Sequence, residues 1–329
     1  QYCNPTRPTT IIQGVENCFR FEIAFMPGDT VEEIQKESVF RKYIDQWIGN
    51  NEVEFSRTAV YSFHAAAAER WSNGNIFLLG DAAHQMPPFM GQGMNSGCRD
   101  AENLLWKING VLKGLYKPKI LHTYETERKP HVARITRAAI KLGGVINAKS
   151  KFRALVRNAM LRIQGYFKGK ENIFPIMNGN RLGQGVHNMP KIKDVSLERY
   201  YFNEISVRLN DGRVQSTDKI LGKNFGMILN DFEGNKKISD KYLEFLNKHN
   251  FKIINISNNH EQSNYENYIA CEDTHSDMQI YCDKYDCNAV ILRPDKYVFD
   301  IFNFETDNLD EIVSSAIKNL QETAVFTPN

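Results

Sequence analysis

The amino-acid sequence predicts an α/β fold in two parts. In the first part, a short apolar run at Ile76–Leu79 leads through an acidic turn and a glycine loop into a long helical pattern. In the second part, beyond residue 196, the predicted order is strand, helix, strand and then strand, strand, helix. Residues 174–194 are rich in Gly, Pro and Asn, which predicts a linker between the two parts.

The composition is that of an ordinary globular chain long enough for two domains. Hydrophobic residues make up 42% and charged residues 24% of the 329 residues. A net charge of +2 argues for neither a nucleic-acid nor a membrane partner. No apolar run reaches the roughly 18–20 residues that span a bilayer. The six cysteines show neither CxxC nor zinc-ligand spacing, so we expect no metal and a reducing, cytoplasmic setting.

The first sixty residues predict a strand, a helix and a second strand. Phe19–Ala24 has the apolar pattern of a sheet strand. Thr30 and Glu33 form a capping box, and the apolar spacing that follows carries a helix to Ile48. Glu52–Tyr61 predicts a second strand.

The segment Gly74–Lys107 carries the functional prediction. Its apolar run, Ile76–Leu79, predicts a buried strand. A tight loop follows, and the residues that interrupt regular structure there are Pro87, Pro88, Gly91 and Gly93. Apolar residues then recur at helical spacing, at Met94, Cys98, Ala101, Leu104, Leu105, Ile108, Val111 and Leu112.

This order of elements suits a bound cofactor. Asp81, directly after the strand, offers a carboxylate that accepts hydrogen bonds from ligand hydroxyls. Gly91 and Gly93 have no Cβ, so the backbone can approach a ligand closely. The free N–H groups at the start of the helix, near Met94 and Asn95, favour negative charge. The segment therefore predicts a polyhydroxylated, phosphate-bearing or electron-rich ligand.

Simpler explanations stay open for each residue taken alone. An Asp after a strand, such as Asp81, is about as often a turn or cap residue. A single GxG is weak support for a nucleotide loop. His84 is better explained as a hydrogen-bonded structural residue than as a catalytic base. The ordered pattern over the whole of Gly74–Lys107 is what favours a cofactor site.

Two further helices are predicted downstream. Pro118 can begin a helix, and Pro130 is expected to break or kink it near Arg128 and Lys129. The charges of TYETERKPHVARITRAA are predicted to form a solvated face without a chemical role. Residues 151–170 are basic and amphipathic, which predicts a surface helix.

The second part has a thioredoxin-like order of predicted elements. The predicted strands are Phe225–Leu229, Phe251–Ile256, Ala289–Leu292 and Tyr297–Phe302, and the predicted helices are about Ile238–Asn247 and Leu309–Gln321. Asn258–Asn267 predicts a polar insertion. Cys282 and Cys287 are five positions apart and late in the domain, so we expect no redox dithiol.

The segment GDAAHQMPPFMGQGMNSGCRDAENLLWK resembles the second flavin-binding motif of the group A flavoprotein monooxygenases, the para-hydroxybenzoate-hydroxylase-like aromatic hydroxylases. It is most similar to their 3-(3-hydroxyphenyl)propionate hydroxylase branch. The resemblance implies FAD as the cofactor, with the carboxylate of Asp81 on its ribityl chain and the backbone N–H groups of Met94 and Asn95 at its ring. The implied cofactor-binding residues are Gly80, Asp81, Pro88, Gly91, Gly93, Met94 and Asn95.

The resemblance also implies the domain organisation. The expected fold has partial FAD-binding (glutathione-reductase-like) and substrate domains followed by a thioredoxin-like C-terminal domain. Residues 1–60 would complete the substrate domain, 61–173 the FAD-binding domain, 174–195 the linker, and 196–329 the thioredoxin-like domain without CxxC. In this family a GxGxxG unit holds the FAD pyrophosphate, and the sequence contains none. We therefore expect this chain alone to bind FAD weakly or not at all.

The implied reaction uses NAD(P)H to reduce FAD and O₂ to hydroxylate a small phenolic substrate. The candidate protein partners are a separate N-terminal half and a second copy in a homodimer, and no nucleic acid or membrane is expected. No residue is assigned as catalytic. Two alternatives stay open: a catalytically inactive remnant that acts as an interaction module, and a flavin oxidoreductase that does not hydroxylate.

Overall fold

The structure of the protein is a computed structural model that describes residues 1–168, 182, 185, 201–230, 239–257, 267–303 and 309–322. The chain forms two compact units, each assembled from three segments. The first unit comprises Gln1–Glu69, Gly80–Asn95 and Arg134–Met177, and the second comprises Arg70–Leu79, Ser96–Ala133 and Asn178–Asn329. Nearly all of the predicted linker and of the predicted insertion at Asn258–Asn267 lies outside the described residues. The domain boundaries derived from the sequence stay a prediction.

The first unit begins with an antiparallel hairpin of β1 (Thr9–Gln13) and β2 (Phe19–Ile23), which confirms the strand predicted there. Two helices follow, α1 (Val31–Ile34) and α2 (Glu37–Ile48). The Oγ of Thr30 accepts a hydrogen bond from the Glu33 N–H at 3.3 Å, so the predicted cap is confirmed. The predicted helix is nevertheless interrupted, because Lys36 has extended backbone and serves as the cap of α2.

The strand predicted at Glu52–Tyr61 is absent. Residues 51–65 form neither helix nor strand, although all of them are described. A strand needs a neighbour for its backbone hydrogen bonds, and no described residue pairs with this segment. Its large side chains Tyr61 and Phe63 are each 59% exposed and stack on one another at 6.5 Å between ring centroids.

Residues 66–85 form two short antiparallel strand pairs. β3 (Ala66–Ala67) pairs with β6 (His84–Gln85), and β4 (Ser72–Asn73) pairs with β5 (Ile76–Phe77). The buried strand predicted at Ile76–Leu79 is wrong in length and in burial, because only two residues pair and Ile76 is 70% exposed. Among the described residues β5 pairs with β4 alone, in a sheet of two strands. A 3₁₀ turn at Gly80–Ala82 follows.

Three long helices come next: α3 (Gln92–Leu112), α4 (Thr123–Ile146) and α5 (Lys151–Lys168). α3 confirms the helix predicted after the loop. Pro118 begins a 3₁₀ turn before α4, but Pro130 lies inside α4 without breaking it. Pro130 lacks one backbone donor, and we attribute the continuity of α4 to the fully buried residues on both sides of it, Arg128 and His131.

The predicted surface helix α5 is confirmed and carries an apolar stripe. Its large exposed apolar residues are Phe152, Leu155, Val156, Met160, Ile163 and Tyr166, with exposures from 41% to 86%. Their spacing of three and four places them on one face. Within the described residues, no helix is long and apolar enough to cross a membrane.

The second unit contains a seven-stranded sheet in the order β13-β12-β9-β10-β11-β7-β8. β9, β10 and β11 run parallel, and the other neighbours pair antiparallel. The strands are β7 (Ser206–Leu209), β8 (Val214–Ser216), β9 (Gly226–Asn230), β10 (Lys252–Ile256), β11 (Tyr268–Asp273), β12 (Ala289–Leu292) and β13 (Val298–Phe302). The helices are α6 (Thr217–Leu221), α7 (Asp240–Lys248), α8 (Asp277–Tyr285) and α9 (Leu309–Glu322). The four strands and two helices predicted here are therefore present.

Both faces of this sheet are covered by apolar side chains. On one face, Trp106 of α3 packs on Phe225 next to β9, with ring centroids 5.4 Å apart, and α7 and α9 complete the core. On the other face, α6 and α8 pack with Phe202. Helix α3 and the sheet thus share one hydrophobic core within the second unit.

Candidate cofactor site

The seven predicted cofactor-binding residues all lie on the stretch Gly80–Asn95 of the first unit. Asp81 is exposed on its 3₁₀ turn, so its carboxylate is free to meet a ligand hydroxyl. Gly80 has a φ of +55°, a conformation that glycine adopts at no steric cost. The stretch returns through β6, whose pairing with β3 ties the loop to the first unit.

The loop closes on a tight turn directly before α3. The N–H of Gly91 donates to the carbonyl of Pro88 at 2.9 Å. Gly91 has a φ of +62° and open space where a Cβ would stand, so its backbone conformation, and not crowding, requires glycine. The preceding residue, Met90, also has a positive φ, of +99°.

The first turn of α3 presents free backbone donors. The first N–H groups of a helix have no partner inside it, and in α3 those of Gly93 and Met94 stand in this position. Met94 is 79% exposed, and Asn95 donates from its Nδ2 to the carbonyl of Gly91 at 3.3 Å. A helix of 21 residues has a full macrodipole, so this end favours an anionic or electron-rich group.

Phe89, in the middle of the loop, packs against α4. Gly143 of α4 has no room for a side chain, because its Cβ would overlap the Phe89 ring. Neighbouring Gly144 has open space instead. Phe89 therefore fixes the loop through a contact that only glycine at 143 permits.

The charges of TYETERKPHVARITRAA were predicted to be solvated, and this is wrong for Glu127, Arg128 and His131, which are each 0% exposed. The Nε of Arg128 donates to Oδ1 of Asp100 at 2.8 Å, and its Nη2 donates to the carbonyl of Ser96 at 3.2 Å. Its Nη1 contacts Nδ1 of His131. Arg128 thus links α4 to the second and third turns of α3.

A second group of buried charges follows one helical turn further along, and we call it the buried charge cluster: Asn103, Lys107, Glu127, Arg293 and Asp295. Arg293 donates to both carboxylate oxygens of Glu127, at 2.9 Å each, and to both oxygens of Asp295, at 2.9 and 2.6 Å. Lys107 donates to Glu127 at 2.9 Å and to Oδ1 of Asn103 at 2.8 Å. The Nδ2 of Asn103 donates to Glu127 at 2.7 Å and to Asp295 at 3.2 Å.

The electrostatics of the cluster follow from burial and from close opposite charges. Burial lowers the pKa of Lys107 to about 8, although the nearby Glu127 carboxylate raises it in part. Burial would raise the pKa of Glu127, but Arg293 and Lys107 outweigh it and hold that pKa below its usual range. The hydrogen bonds described above join cluster members to each other, and they tie α3 and α4 to the turn between β12 and β13.

Sequence reasoning missed this cluster although a signal for it existed. Asp100, Asn103 and Lys107 recur with the spacing of one helix face, beside the apolar positions Leu104 and Trp106. Polar residues on a buried stripe need partners. Those partners come from α4 and from the turn between β12 and β13, which only the folded chain brings together.

The chain matches two protein families and resembles several hydroxylases in sequence. The chain matches the FAD binding domain family over residues 9–139 and the HcaD C-terminal domain family over residues 201–317. It is 28% identical over 304 residues to a 3-(3-hydroxy-phenyl)propionate/3-hydroxycinnamic acid hydroxylase of Burkholderia cenocepacia, and 27% identical over 308 residues to the enzyme of that name from Escherichia coli K12. Both alignments cover 90% of this chain. Both relatives are hydroxylases, and the family matched over residues 9–139 is an FAD binding domain.

The likeness to these hydroxylases extends to solved structures. The fold resembles the flavin-dependent monooxygenase PieE, solved with FAD and substrate, with a TM-score of 0.62 over 96% of this chain and 60% of that one. It resembles aklavinone-11 hydroxylase, solved with FAD and aklavinone, with a TM-score of 0.65 over 93% and 54%. Both are 18% identical to this chain, so the likeness concerns the fold alone. The chain spans 56% of the Burkholderia hydroxylase and 55% of the Escherichia coli enzyme.

The sequence-based recognition of the hydroxylases, and of FAD as the cofactor, is thereby confirmed. The residues present also fit FAD. An exposed carboxylate, a glycine turn with positive φ and free N–H donors at a helix start match the hydroxyls and the electron-rich ring of that cofactor. Which residues touch FAD stays a prediction.

Proposed function

We propose that this chain is the C-terminal portion of an FAD-dependent monooxygenase that hydroxylates a phenolic substrate with NAD(P)H and O₂. The observation that carries the proposal is the order of exposed Asp81, the positive-φ turn at Gly91 and the free helix start at Met94, within residues that match the FAD binding domain family. When bound, FAD would supply the redox and oxygen-transfer chemistry.

The chain's own residues would bind and orient the cofactor. The carboxylate of Asp81 would accept a hydrogen bond from a cofactor hydroxyl, which is worth about 1.5–3 kcal/mol. The N–H groups of Met94 and Asn95 would donate to the ring where negative charge gathers, and the helix dipole would add to them. The loop around Pro88 and Phe89 would separate cofactor from substrate and help to exclude water.

We further propose that the first unit is completed by a separate N-terminal portion like that of the relatives, of which this chain spans little more than half. Residues 52–65 of the first unit form neither helix nor strand, and the unit exposes large apolar side chains, among them Phe63, Met94 and Tyr166. A partner that covers these side chains would remove them from water. A homodimer stays a prediction.

The test is reconstitution. The 329-residue chain is titrated with FAD by flavin fluorescence, alone and with the N-terminal portion of the Burkholderia cenocepacia relative that lies outside the matched region. We expect weak or no binding alone and stoichiometric binding in the mixture, followed by NAD(P)H oxidation that a phenol stimulates and that yields equimolar hydroxylated product. Tight FAD binding by the chain alone would contradict the need for a second portion.

The same experiment separates the two alternatives. Binding of FAD and NAD(P)H oxidation without hydroxylated product, across a panel of phenols, would show a flavin oxidoreductase of another kind. Association of the two portions with no FAD bound would show an interaction module.

A further inference from the structure

Arg293 reaches from the seven-stranded sheet to both helices beside it. It lies in the turn between β12 and β13, where its N–H donates to the carbonyl of Tyr297 at 2.9 Å, and its side chain is 0% exposed. Its guanidinium binds both oxygens of Glu127 on α4. The same guanidinium lies over the ring of Trp106 on α3, 5.3 Å from the centroid. One side chain of the sheet therefore contacts α3 and α4 at once.

These contacts continue toward the start of α3. Glu127, the partner of Arg293, is followed in α4 by Arg128, which donates to Asp100 and to the carbonyl of Ser96. Ser96 comes directly after Asn95 in the same helix. The path from the sheet to the first turns of α3 thus runs through two fully buried ion pairs, Arg293–Glu127 and Arg128–Asp100.

The geometry and the burial of these ion pairs fix how the helices are oriented relative to the turn. The planar guanidinium of Arg293 binds a carboxylate in a fixed fork, which a flexible ammonium cannot reproduce. Each charge is buried, so a displaced helix would leave one of them unpaired at high cost. Gly185 tightens the arrangement, because a Cβ there would overlap the side chain of Glu127. The arrangement therefore favours one position of α4 and α3 relative to the turn.

We propose that Arg293 is a positioning residue: through Glu127 and Arg128 it holds the first turns of α3 in the orientation in which the N–H groups of Met94 and Asn95 receive the cofactor. The proposal rests on the proposed function for its meaning, since it concerns the same helix start. In this proposal the seven-stranded sheet positions a helix and does not take part in the reaction.

The test measures hydrogen–deuterium exchange of the 329-residue chain without FAD. In Arg293→Met, amide exchange over Gly91–Cys98 should accelerate at least about tenfold, which corresponds to ~1.4 kcal/mol of opening free energy. Exchange over Gly226–Asn230, in the centre of the sheet, should stay at the parent rate. Arg293→Lys should give an intermediate rate. Lysine keeps the positive charge, but it cannot donate the two parallel hydrogen bonds of a guanidinium.

Lys223→Met is the matched control. Lys223 also pairs with α3, through Glu102 at 2.9 Å, but the two side chains are 73% and 52% exposed. An exposed pair contributes little, so exchange over Gly91–Cys98 should not change in this variant.

The proposal is overturned if Arg293→Met leaves Gly91–Cys98 at the parent rate, or if it accelerates Gly91–Cys98 and Gly226–Asn230 equally. If Arg293→Met does not fold, Arg293→Lys decides, and the parent rate over Gly91–Cys98 in that variant overturns the proposal. Because no FAD is present, a failure of this test is distinct from a failure of the reconstitution, which measures FAD binding by the parent chain.

Discussion

At the scale of single residues, Asp81 and His84 lie three positions apart in opposite surroundings. Asp81 is exposed on a 3₁₀ turn, while His84 is 2% exposed within β6. An exposed carboxylate can bind a ligand, whereas a buried imidazole in a paired strand serves packing and hydrogen bonding. The two residues should therefore respond differently to truncation.

We expect Asp81→Ala to weaken FAD binding roughly 10- to 150-fold in the reconstituted mixture. The loss of one charged hydrogen bond, about 1.5–3 kcal/mol, sets this range. His84→Ala should weaken FAD binding less and should lower the unfolding free energy instead. Flavin fluorescence titration and urea unfolding measure the two quantities. The opposite ranking for FAD affinity would reverse the roles assigned to this loop.

Lys107 should make stability depend on pH. Burial lowers its pKa from 10.5 to about 8. Between these values the unfolded chain binds more protons than the folded chain, so stability rises with pH there. Relative to Lys107→Met, the parent should gain about 2 kcal/mol of unfolding free energy between pH 8 and pH 10. Urea unfolding of both proteins across this range isolates Lys107, and parallel pH profiles would show that its pKa is not lowered.

At the scale of elements, α4 supports the cofactor loop through one glycine. Gly143→Ala places a methyl group where the Phe89 ring lies, and such overpacking typically costs about 1–3 kcal/mol. Gly144→Ala meets open space and should stabilise the helix by roughly 0.5–1 kcal/mol. We expect Gly143→Ala alone to weaken FAD binding in the reconstituted mixture. Equal FAD affinities for the two variants would show that the contact of Phe89 with Gly143 does not determine the conformation of the cofactor loop.

Two buried cysteines, Cys282 and Cys287, lie at the end of α8. The N–H of Cys287 donates to the carbonyl of Cys282 at 3.1 Å, and Asp286 between them has a φ of +50°, as at a helix end closed by a Schellman motif. Both thiols are buried, and the pKa of Cys282 is raised by its contact with Cys287 and by burial. A thiol held protonated is a poor nucleophile.

We therefore expect no thiol–disulfide exchange by the protein. An insulin-reduction assay with dithiothreitol as the electron donor should give the rate of the protein-free reaction. A rate above that background, lost in Cys282→Ser, would show a reactive dithiol at the end of α8.

At the scale of the whole molecule, apolar burial is distributed unequally between the two units. In the described part of the first unit, the buried hydrophobic residues are Ile44, Ala83, Ile135, Ala139, Ile146, Ala148 and Ala154. Four of these are alanines, which bury little area. The second unit has two extensive cores on the two faces of its sheet. The first unit should therefore be the less stable of the two.

Limited trypsin digestion should cleave after Arg57 before it cleaves after Arg208. Both arginines are exposed, but Arg57 lies on unpaired backbone and Arg208 lies in β7, which is paired on both sides. Proteases need locally unfolded backbone, which Arg57 already supplies. The N-terminal portion of the relative should protect Arg57 if it covers the first unit. Cleavage at Arg208 first, or no protection of Arg57 in the mixture, would contradict this view of the first unit.

The sequence by itself determined the elements whose signal is local. The spacing of apolar residues located α3, α5 and four of the seven strands of the large sheet, and the resemblance of Gly80–Lys107 to a flavin-binding motif gave FAD as the cofactor. These predictions hold because helix and strand periodicity and turn chemistry are written within a few neighbouring residues.

Only the tertiary structure decided what covers each face. Ile76 is apolar but exposed, residues 52–61 have a strand pattern but no neighbour, and Glu127 and Arg128 are charged but fully buried. A periodic pattern shows which side chains share a face, but the partner on that face comes from distant segments. For Glu127 and Arg128 the partners are Arg293, 166 positions away, and Asp100, 28 positions away, and burial among them turns four charges into two ion pairs.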